Sequence, residues 1–185
     1  MKTIPELDQY IAQYIQGVFS QADMAVLKTE IEKLQPGQVY VEIGVDEGRS
    51  ARVAHEYAHP EVFKMWIDIN NVDHHEKSIG RGKRMQQEGM VGIGHRGFFV
   101  HGDGDEFAKL IRTFFNKQFV DLIFIDGHHD YESVKENTLF WEPFMKKGSV
   151  MLFHDYDHPE TARWLDKYYG DKKEVFHGKV VKVIV

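Results

Sequence analysis

The sequence predicts an α/β fold in which helices cover both faces of a mostly parallel sheet. Apolar runs of strand length alternate along the chain with segments of helical apolar spacing. The runs are apolar on both faces, as expected for strands buried between two layers of helices. A chain of 185 residues is long enough for one domain with a sizeable core.

The predicted elements follow one another in a regular order. Two helices, over 5–17 and 21–34, precede the first strand, and Ser20 and Asp23 form a capping-box pattern at the start of the second helix. The predicted strands span residues 38–45, 62–69, 97–101, 120–125 and 150–153. Further helices are predicted over residues 49–57, 107–115, 131–144 and 160–169. Residues 174–185 predict two strands around His177 and Gly178, which form a hairpin.

Composition predicts a single domain that is neither membrane-spanning nor secreted. Residues 1–185 are expected to form one unit, with N-terminal helices over 1–36 and the sheet core over 37–185, because the chain has no repeat and no Pro/Gly/Ser linker. No apolar run approaches the roughly 20 residues of a membrane span, and the acidic start does not resemble a signal peptide. We therefore expect a cytoplasmic location, which the absence of cysteine also fits.

The charge of the chain restricts its partners. A net charge of −6 argues against broad binding to nucleic acid or anionic membranes, because both require a positive surface. A second copy of the chain could complete an open site, so a homo-oligomer is also considered.

The first strand leads into a glycine-containing loop over residues 42–50, which includes Glu42, Gly44, Gly48 and Ser50. Ligands of parallel sheets bind at the carboxyl ends of the strands, and glycine lets the backbone approach a ligand closely. The acids Asp46 and Glu47 in this loop would repel a pyrophosphate. The loop therefore favours S-adenosylmethionine, which has a positive centre and no phosphate, over a dinucleotide.

Two acids at later strand ends extend this predicted cofactor site. Asp68 lies at the end of the second strand, where an acid accepts hydrogen bonds from the ribose hydroxyls in dinucleotide folds. Asp103 follows the third strand and is placed to meet the adenine edge. The order of these residues along the chain carries more weight than any one of them.

Residues 41–44 and 124–131 resemble class I methyltransferases. Three further segments narrow this resemblance: the motif Asp-Gly-x-His-x-Tyr starting at Asp126, residues 141–147 with Gly148, and residues 153–156. Together they resemble the group that contains macrolide sugar O-methyltransferases and cephalosporin-hydroxylase-like proteins. The resemblance covers residues 38–158. It implies a Rossmann-like three-layer sandwich with a seven-stranded sheet, an antiparallel C-terminal hairpin, and S-adenosylmethionine-dependent O-methylation of a small-molecule or sugar hydroxyl.

The same resemblance implies a metal site and a catalytic base. In metal-using relatives the first aspartate of Asp-Gly-x-His and two adjacent acids after the fifth strand hold magnesium. These positions correspond here to Asp126, His154 and Asp155, and His154 departs from the two-acid pattern. Because hard cations prefer oxygen ligands, this departure weakens the case for magnesium and leaves manganese or no metal open.

His129 is the predicted base, with Asp126 as its partner in catalysis and as a further cofactor contact. Two alternatives stay open on the sequence. One is a hydrolase or oxygenase with a His/Asp metal centre formed by His129, His154, Asp155 and His158. The other is a non-catalytic relative that binds the cofactor. The acceptor loop is predicted over residues 70–98, which are long and glycine-containing.

Overall fold

The structure is a computed structural model that describes residues 2–12, 19–46, 48–68, 90, 96–114 and 117–185. Its strands are β1 (Val39–Ile43), β2 (Phe63–Asp68), β3 (Gly97–His101), β4 (Val120–Ile125), β5 (Met145–Phe153), β6 (Lys173–Phe176) and β7 (Val180–Ile184). Its helices are α1 (Ile4–Ala12), α2 (Gln21–Ile31), α3 (Arg49–Tyr57), α4 (Gly104–Phe114), α5 (Tyr131–Trp141) and α6 (Pro159–Tyr169). Short 3-10 turns follow α5 and α6 at Glu142–Phe144 and Gly170–Lys172.

The seven strands form one sheet in the order β3-β2-β1-β4-β5-β7-β6. Strands β1 to β5 are parallel, and β7 runs antiparallel to both β5 and β6. The chain moves outward from β1 to β3 and then returns to β4 on the other side of β1. The carboxyl ends of β1 and β4 therefore form the switch point at which ligands of such sheets bind.

Two apolar cores cover the two faces of the sheet. Because side chains alternate along a strand, neighbouring residues of β1 point to opposite faces. Val41 packs with residues of α4, α5 and α6 on one face, whereas Tyr40 packs with residues of α1, α2 and α3 on the other. The predicted α/β three-layer sandwich, with its mostly parallel seven-stranded sheet and antiparallel C-terminal hairpin, is confirmed.

The N-terminal helices are fixed to the sheet by polar contacts as well as by packing. Helix α2 begins with the predicted capping box, in which Ser20 Oγ accepts from the Asp23 backbone N–H at 3.2 Å and the Asp23 carboxylate accepts from the Ser20 N–H at 2.9 Å. Arg49 on α3 forms an ion pair with Asp8 of α1 and donates through Nε to the Phe19 carbonyl at 3.2 Å. The start of α2 is thereby held against the end of the sheet that carries the site.

Several predicted boundaries differ from those in the structure. Strand β5 begins at Met145 rather than at residue 150. The sequence pattern did not show this early start, because Lys147, which is exposed, and Gly148, at φ +81°, interrupt the apolar run. Helix α4 begins at Gly104 rather than at residue 107, since Asp103 caps its first turn by accepting from the Asp105 N–H at 3.0 Å. Residues 13–17 of the first predicted helix, with 69 and 115, lie outside the described residues.

Within the described part of the chain, no helix is both long and apolar enough to cross a bilayer.

Candidate active site

Gly44 brings the loop after β1 into direct contact with the loop after β4. Its N–H donates to the Ile67 carbonyl at 2.9 Å, and the Asp126 N–H donates to the Ile43 carbonyl at 2.8 Å. Gly44 has φ +80°, and a Cβ atom there would overlap the carbonyl oxygen of Asp126. Only glycine fits both this backbone conformation and this close approach.

The loop from β1 ends at Gly48, which precedes helix α3 in a left-handed conformation at φ +86° and supplies no side-chain cap. Its N–H donates to the Val45 carbonyl at 2.7 Å, so the loop closes as a tight turn. Asp46, within that turn, also has a positive φ of 42°. Glu47, whose charge is expected to repel a pyrophosphate together with that of Asp46, lies outside the described residues.

Two of the predicted cofactor residues, Glu42 and Ser50, contact each other beneath this loop. Glu42 is fully buried and accepts hydrogen bonds from the hydroxyls of Ser50 and Tyr40, the latter at 2.8 Å. Burial raises the pKa of Glu42 to about 8, and the nearby charge of Asp126 acts in the same direction. At neutral pH the carboxyl is therefore mostly protonated, and it stabilises the loop from within the protein.

A small cleft of about 60 Å³ opens at the carboxyl ends of the strands. Gly44 and Asp103 line one side of it, and Ser133 and Asn137 of α5 line the other. Burial raises the pKa of Asp103 to about 6, and its hydrogen bond with the Asp105 side chain acts in the same direction. Asp68 is buried at the end of β2, where its carbonyl accepts from the Gly102 N–H at 2.7 Å.

Asp126, His154 and Asp155 converge at the ends of β4 and β5, with donor atoms that all lie within 4.8 Å of one another. The Nδ1 atom of His154 lies 3.0 Å from Asp126 Oδ1 and 3.0 Å from Asp155 Oδ2. Burial alone would lower the pKa of His154, but the surrounding carboxylates raise it well above its ordinary value. Asp155 has a positive φ of 51°, a strained conformation for a residue with a side chain.

His129 lies at the solvent side of this cluster. Its Nδ1 is 3.4 Å from Asp155 Oδ2, and its side chain is 44% exposed. The sequence placed this imidazole beside Asp126, whereas the carboxylate measured next to it belongs to Asp155. Thr161 of α6 donates to the His129 carbonyl at 3.3 Å, which fixes the backbone that carries the imidazole.

The converging donors fit a divalent metal ion that accepts nitrogen as well as oxygen. Two carboxylates and one imidazole supply three possible ligand atoms within 4.8 Å of one another. In the structure Nδ1 of His154 lies at hydrogen-bonding distance from Asp126 Oδ1, at 3.0 Å, so a proton shared by these two atoms would have to leave when an ion binds. Manganese and zinc accept imidazole more readily than magnesium does. The replacement of an expected acid by His154 would therefore change the preferred ion.

One acid that reaches this cluster was not predicted from the sequence. Asp23 of α2 is 1% exposed, and its Oδ2 lies 3.5 Å from Nε2 of His154. In the sequence, the capping-box pattern alone accounts for this residue. Its position on the same helical face as Leu27, which is buried in the core, was the available signal that its side chain points inward.

Comparison with solved structures places the fold among methyltransferases. An O-methyltransferase from Bacillus cereus in complex with SAH aligns with a TM-score of 0.69 at 13% identity, over 100% of this chain and 92% of that chain. CalS11, a TDP-rhamnose 3'-O-methyltransferase of calicheamicin biosynthesis, aligns with a TM-score of 0.65 at 19% identity, over 97% and 85%. The methyltransferase MycE from the mycinamycin pathway, in complex with Mg and SAH, aligns with a TM-score of 0.64 at 16% identity, over 99% of this chain and 55% of that chain.

The sheet order and the strand-end site thus define a Rossmann-like methyltransferase. The family model described as a methyltransferase domain matches residues 41–156, and the chain belongs to this family. The resemblance to methyltransferases is confirmed. A curated relative, the uncharacterized protein y4gI of Sinorhizobium fredii, is 32% identical over 72 residues, and the match spans 35% of this chain but only 8% of that protein.

The substitution Gly44→Ala should strongly destabilise the fold, because the new Cβ would overlap the Asp126 carbonyl. Gly148→Ala is the matched control, since Gly148 has φ +81° but a Cβ added there would meet no atom within 4 Å. The free energy of unfolding of the control should fall only by the cost of placing alanine in a left-handed backbone conformation, about 1–2 kcal/mol. Urea unfolding measures both free energies, and equal losses would contradict the role assigned to the close approach.

Glu42→Gln should change the pH dependence of stability. Glu42 keeps its proton in the folded state up to a pKa of about 8, against an ordinary value of 4.5, so wild-type stability falls as pH rises between these values. The variant lacks this dependence. Its free energy of unfolding relative to that of wild type should therefore rise by a few kcal/mol between about pH 4.5 and 9. Urea unfolding at both pH values measures the difference. Glu132→Gln, at a side chain that is 64% exposed, should show no such gain, and parallel curves for Glu42→Gln and wild type would refute the buried neutral carboxyl.

Proposed function

We propose that the protein is an S-adenosylmethionine-dependent O-methyltransferase that acts on a hydroxyl of a small molecule or sugar. The observation that carries this proposal is a cleft at the switch point, lined by Gly44 and Asp103, next to a His129–Asp155 pair. Family membership supports methyl transfer. It also favours this function over a hydrolase or oxygenase built on the same His and Asp residues.

The cofactor would lie across the ends of β1, β2 and β3. Gly44 and Gly48 permit close approach of the backbone, Asp68 would accept hydrogen bonds from the ribose hydroxyls, and Asp103 would accept from the adenine amino group. The bound cofactor supplies a methyl group on a positively charged sulfur. Solved relatives with the same fold, including the Bacillus cereus enzyme, are complexes with SAH, which supports this placement.

The chain's own part in the reaction is to orient the acceptor and to remove its proton. The acceptor oxygen bonds to the methyl carbon as the carbon–sulfur bond breaks and its electron pair stays on sulfur, so the three atoms must be held in line. The proton of the hydroxyl passes to His129, and the nearby carboxylate of Asp155 stabilises the resulting imidazolium. The products are a methyl ether and S-adenosylhomocysteine.

Asp126, His154 and Asp155 would hold a divalent ion, for which manganese suits the donor set better than magnesium. A bound ion supplies a Lewis acid that lowers the pKa of an acceptor hydroxyl. MycE, whose fold is similar, is a complex with Mg, which supports a divalent ion as part of this proposal. Residues 70–96 would form the acceptor loop, of which the structure describes only Met90 and Arg96; residues 97 and 98, which the sequence prediction included, belong to β3.

A single domain over residues 1–185, a cytoplasmic location and a homo-oligomer stay predictions. The packing of α1 and α2 in the same core as α3 supports one domain.

Calorimetric titration with S-adenosylhomocysteine tests the cofactor site. Wild type should bind it saturably, and Asp68→Ala should bind it more weakly because the ribose loses its acceptor. Asp157→Ala is the control, since that side chain is 51% exposed and pairs only with Lys179 among the contacts described. Absence of binding by wild type, with and without manganese, would remove the proposed function.

His129→Gln should lower the rate of methyl transfer by roughly 10²–10⁴-fold while leaving affinity for S-adenosylhomocysteine unchanged. The rate is measured as S-adenosylhomocysteine formation with an acceptor found in a panel of sugar and small-molecule alcohols. His158→Gln is the matched control, because its ring centroid lies 5.9 Å from that of His129 yet it has no role in the proposed step. Equal losses in the two variants would argue against a specific base.

A further inference from the structure

We propose that Asp23, on the N-terminal helix α2, is a positioning residue of the active site, which holds Nε2 of His154 and thereby aims Nδ1 at the metal position between Asp126 and Asp155. This inference rests on the proposed function and its metal site. The family match begins at residue 41, so Asp23 lies outside the part of the chain that defines the family.

The geometry places the imidazole of His154 between acids on both sides. Nδ1 lies 3.0 Å from Asp126 Oδ1 and 3.0 Å from Asp155 Oδ2, and Nε2 lies 3.5 Å from Asp23 Oδ2. Nε2 is buried and has no hydrogen-bond partner among the described residues. A small shortening of the contact between Asp23 Oδ2 and His154 Nε2 would therefore form a hydrogen bond to this nitrogen.

Packing leaves the ring little freedom to turn. The rings of Phe19 and Phe124 pack at inclined angles against the imidazole, with centroids 5.4 Å and 6.2 Å from the imidazole centroid. The His154 side chain is only 2% exposed. A ring confined in this way keeps Nε2 towards Asp23 and Nδ1 towards Asp126 and Asp155. The carboxylate of Asp23 thus favours this orientation of the ring.

Helix capping explains where Asp23 lies but not why it is buried. Its Oδ2 accepts from the Ser20 N–H at 2.9 Å and from the Ser20 hydroxyl at 2.5 Å. A capping carboxylate works equally well at the surface, whereas Asp23 is only 1% exposed. Burial of an anion is costly unless the anion is paired; Ser20 supplies two hydrogen bonds, and the imidazole of His154, 3.5 Å away, is the ionisable group that faces the carboxylate.

The chemical effect follows from the tautomer. An imidazole that donates Nε2–H to a carboxylate keeps Nδ1 free as a metal ligand, and such carboxylate–histidine–metal arrangements fix both the ring and its basicity. Contacts of this kind are often long in ligand-free proteins and shorten in the complex. A hydrogen bond that forms on metal binding, by shortening of the present 3.5 Å contact, would therefore couple α2 to the site.

The test measures Mn²⁺ affinity of the full chain by calorimetry, with S-adenosylhomocysteine binding measured on the same samples. Asp23→Asn keeps an oxygen for Ser20 but removes the carboxylate, and it should weaken Mn²⁺ binding by roughly 10–100-fold with cofactor affinity unchanged. Ser20→Ala is the matched control. It removes the capping hydroxyl but keeps the carboxylate, so it should lower the melting temperature and leave Mn²⁺ affinity as in wild type.

Nitrogen-15 NMR of the imidazoles supplies a readout that does not depend on the variants. In wild type, Zn²⁺ should shift the Nδ1 signal of His154 while Nε2 keeps its proton. A Zn²⁺ shift at Nε2 instead would overturn the inference even if Asp23→Asn failed to fold.

The remaining outcomes separate the two proposals. Wild-type Mn²⁺ affinity in Asp23→Asn, an equal loss in Ser20→Ala, or no divalent ion bound by wild type would each overturn the role of Asp23. Saturable S-adenosylhomocysteine binding would leave the methyltransferase proposal standing in all three cases. Failure of wild type to bind S-adenosylhomocysteine would instead remove the proposed function itself.

Discussion

The site depends on the close approach of two loops, where the backbone of Gly44 packs against the carbonyl of Asp126. This contact joins the end of β1, which faces the cleft, to the end of β4, which carries the cluster of His and Asp residues. Any larger residue at position 44 would separate the two ends. One glycine therefore sets the distance between the cofactor cleft and the groups that would act on the acceptor.

Glu42, beneath the loop after β1, and Asp155, at the end of β5, differ in their ionisation. Glu42 accepts from the neutral hydroxyls of Ser50 and Tyr40, so burial raises its pKa to about 8 and it stays mostly neutral at pH 7. Burial also acts to raise the pKa of Asp155, but the hydrogen bond and charge of His154, with the charges of His129 and Lys179, together hold it below the ordinary value. Burial raises the pKa of Asp126 in spite of its hydrogen bond with His154, so Asp155 is the acid of this cluster whose ionised form is favoured.

The sequence was sufficient for the fold and for residues that lie close together in the chain. Alternating strands and helices predicted the layers, and the resemblance to metal-using methyltransferases predicted that His154 and Asp155 would meet Asp126. Asp23 could not be predicted in this way, because its capping box already explained it and only packing shows that α2 lies beside β5. The early start of β5 was missed because a local pattern cannot reveal a strand interrupted by Lys147 and Gly148.

The residues at positions 23 and 154 constrain each other. An acid at position 154, as in the pattern of the metal-using relatives that the sequence resembles, would place a second carboxylate near the buried Asp23, where His154 now lies at 3.5 Å. Two buried like charges at such a distance disfavour ionisation of both. His154 removes that conflict and supplies a nitrogen ligand, so the departure from the two-acid pattern and the buried acid on α2 are consistent as a pair. Restoring the two-acid pattern in this chain would therefore require a change at Asp23 as well.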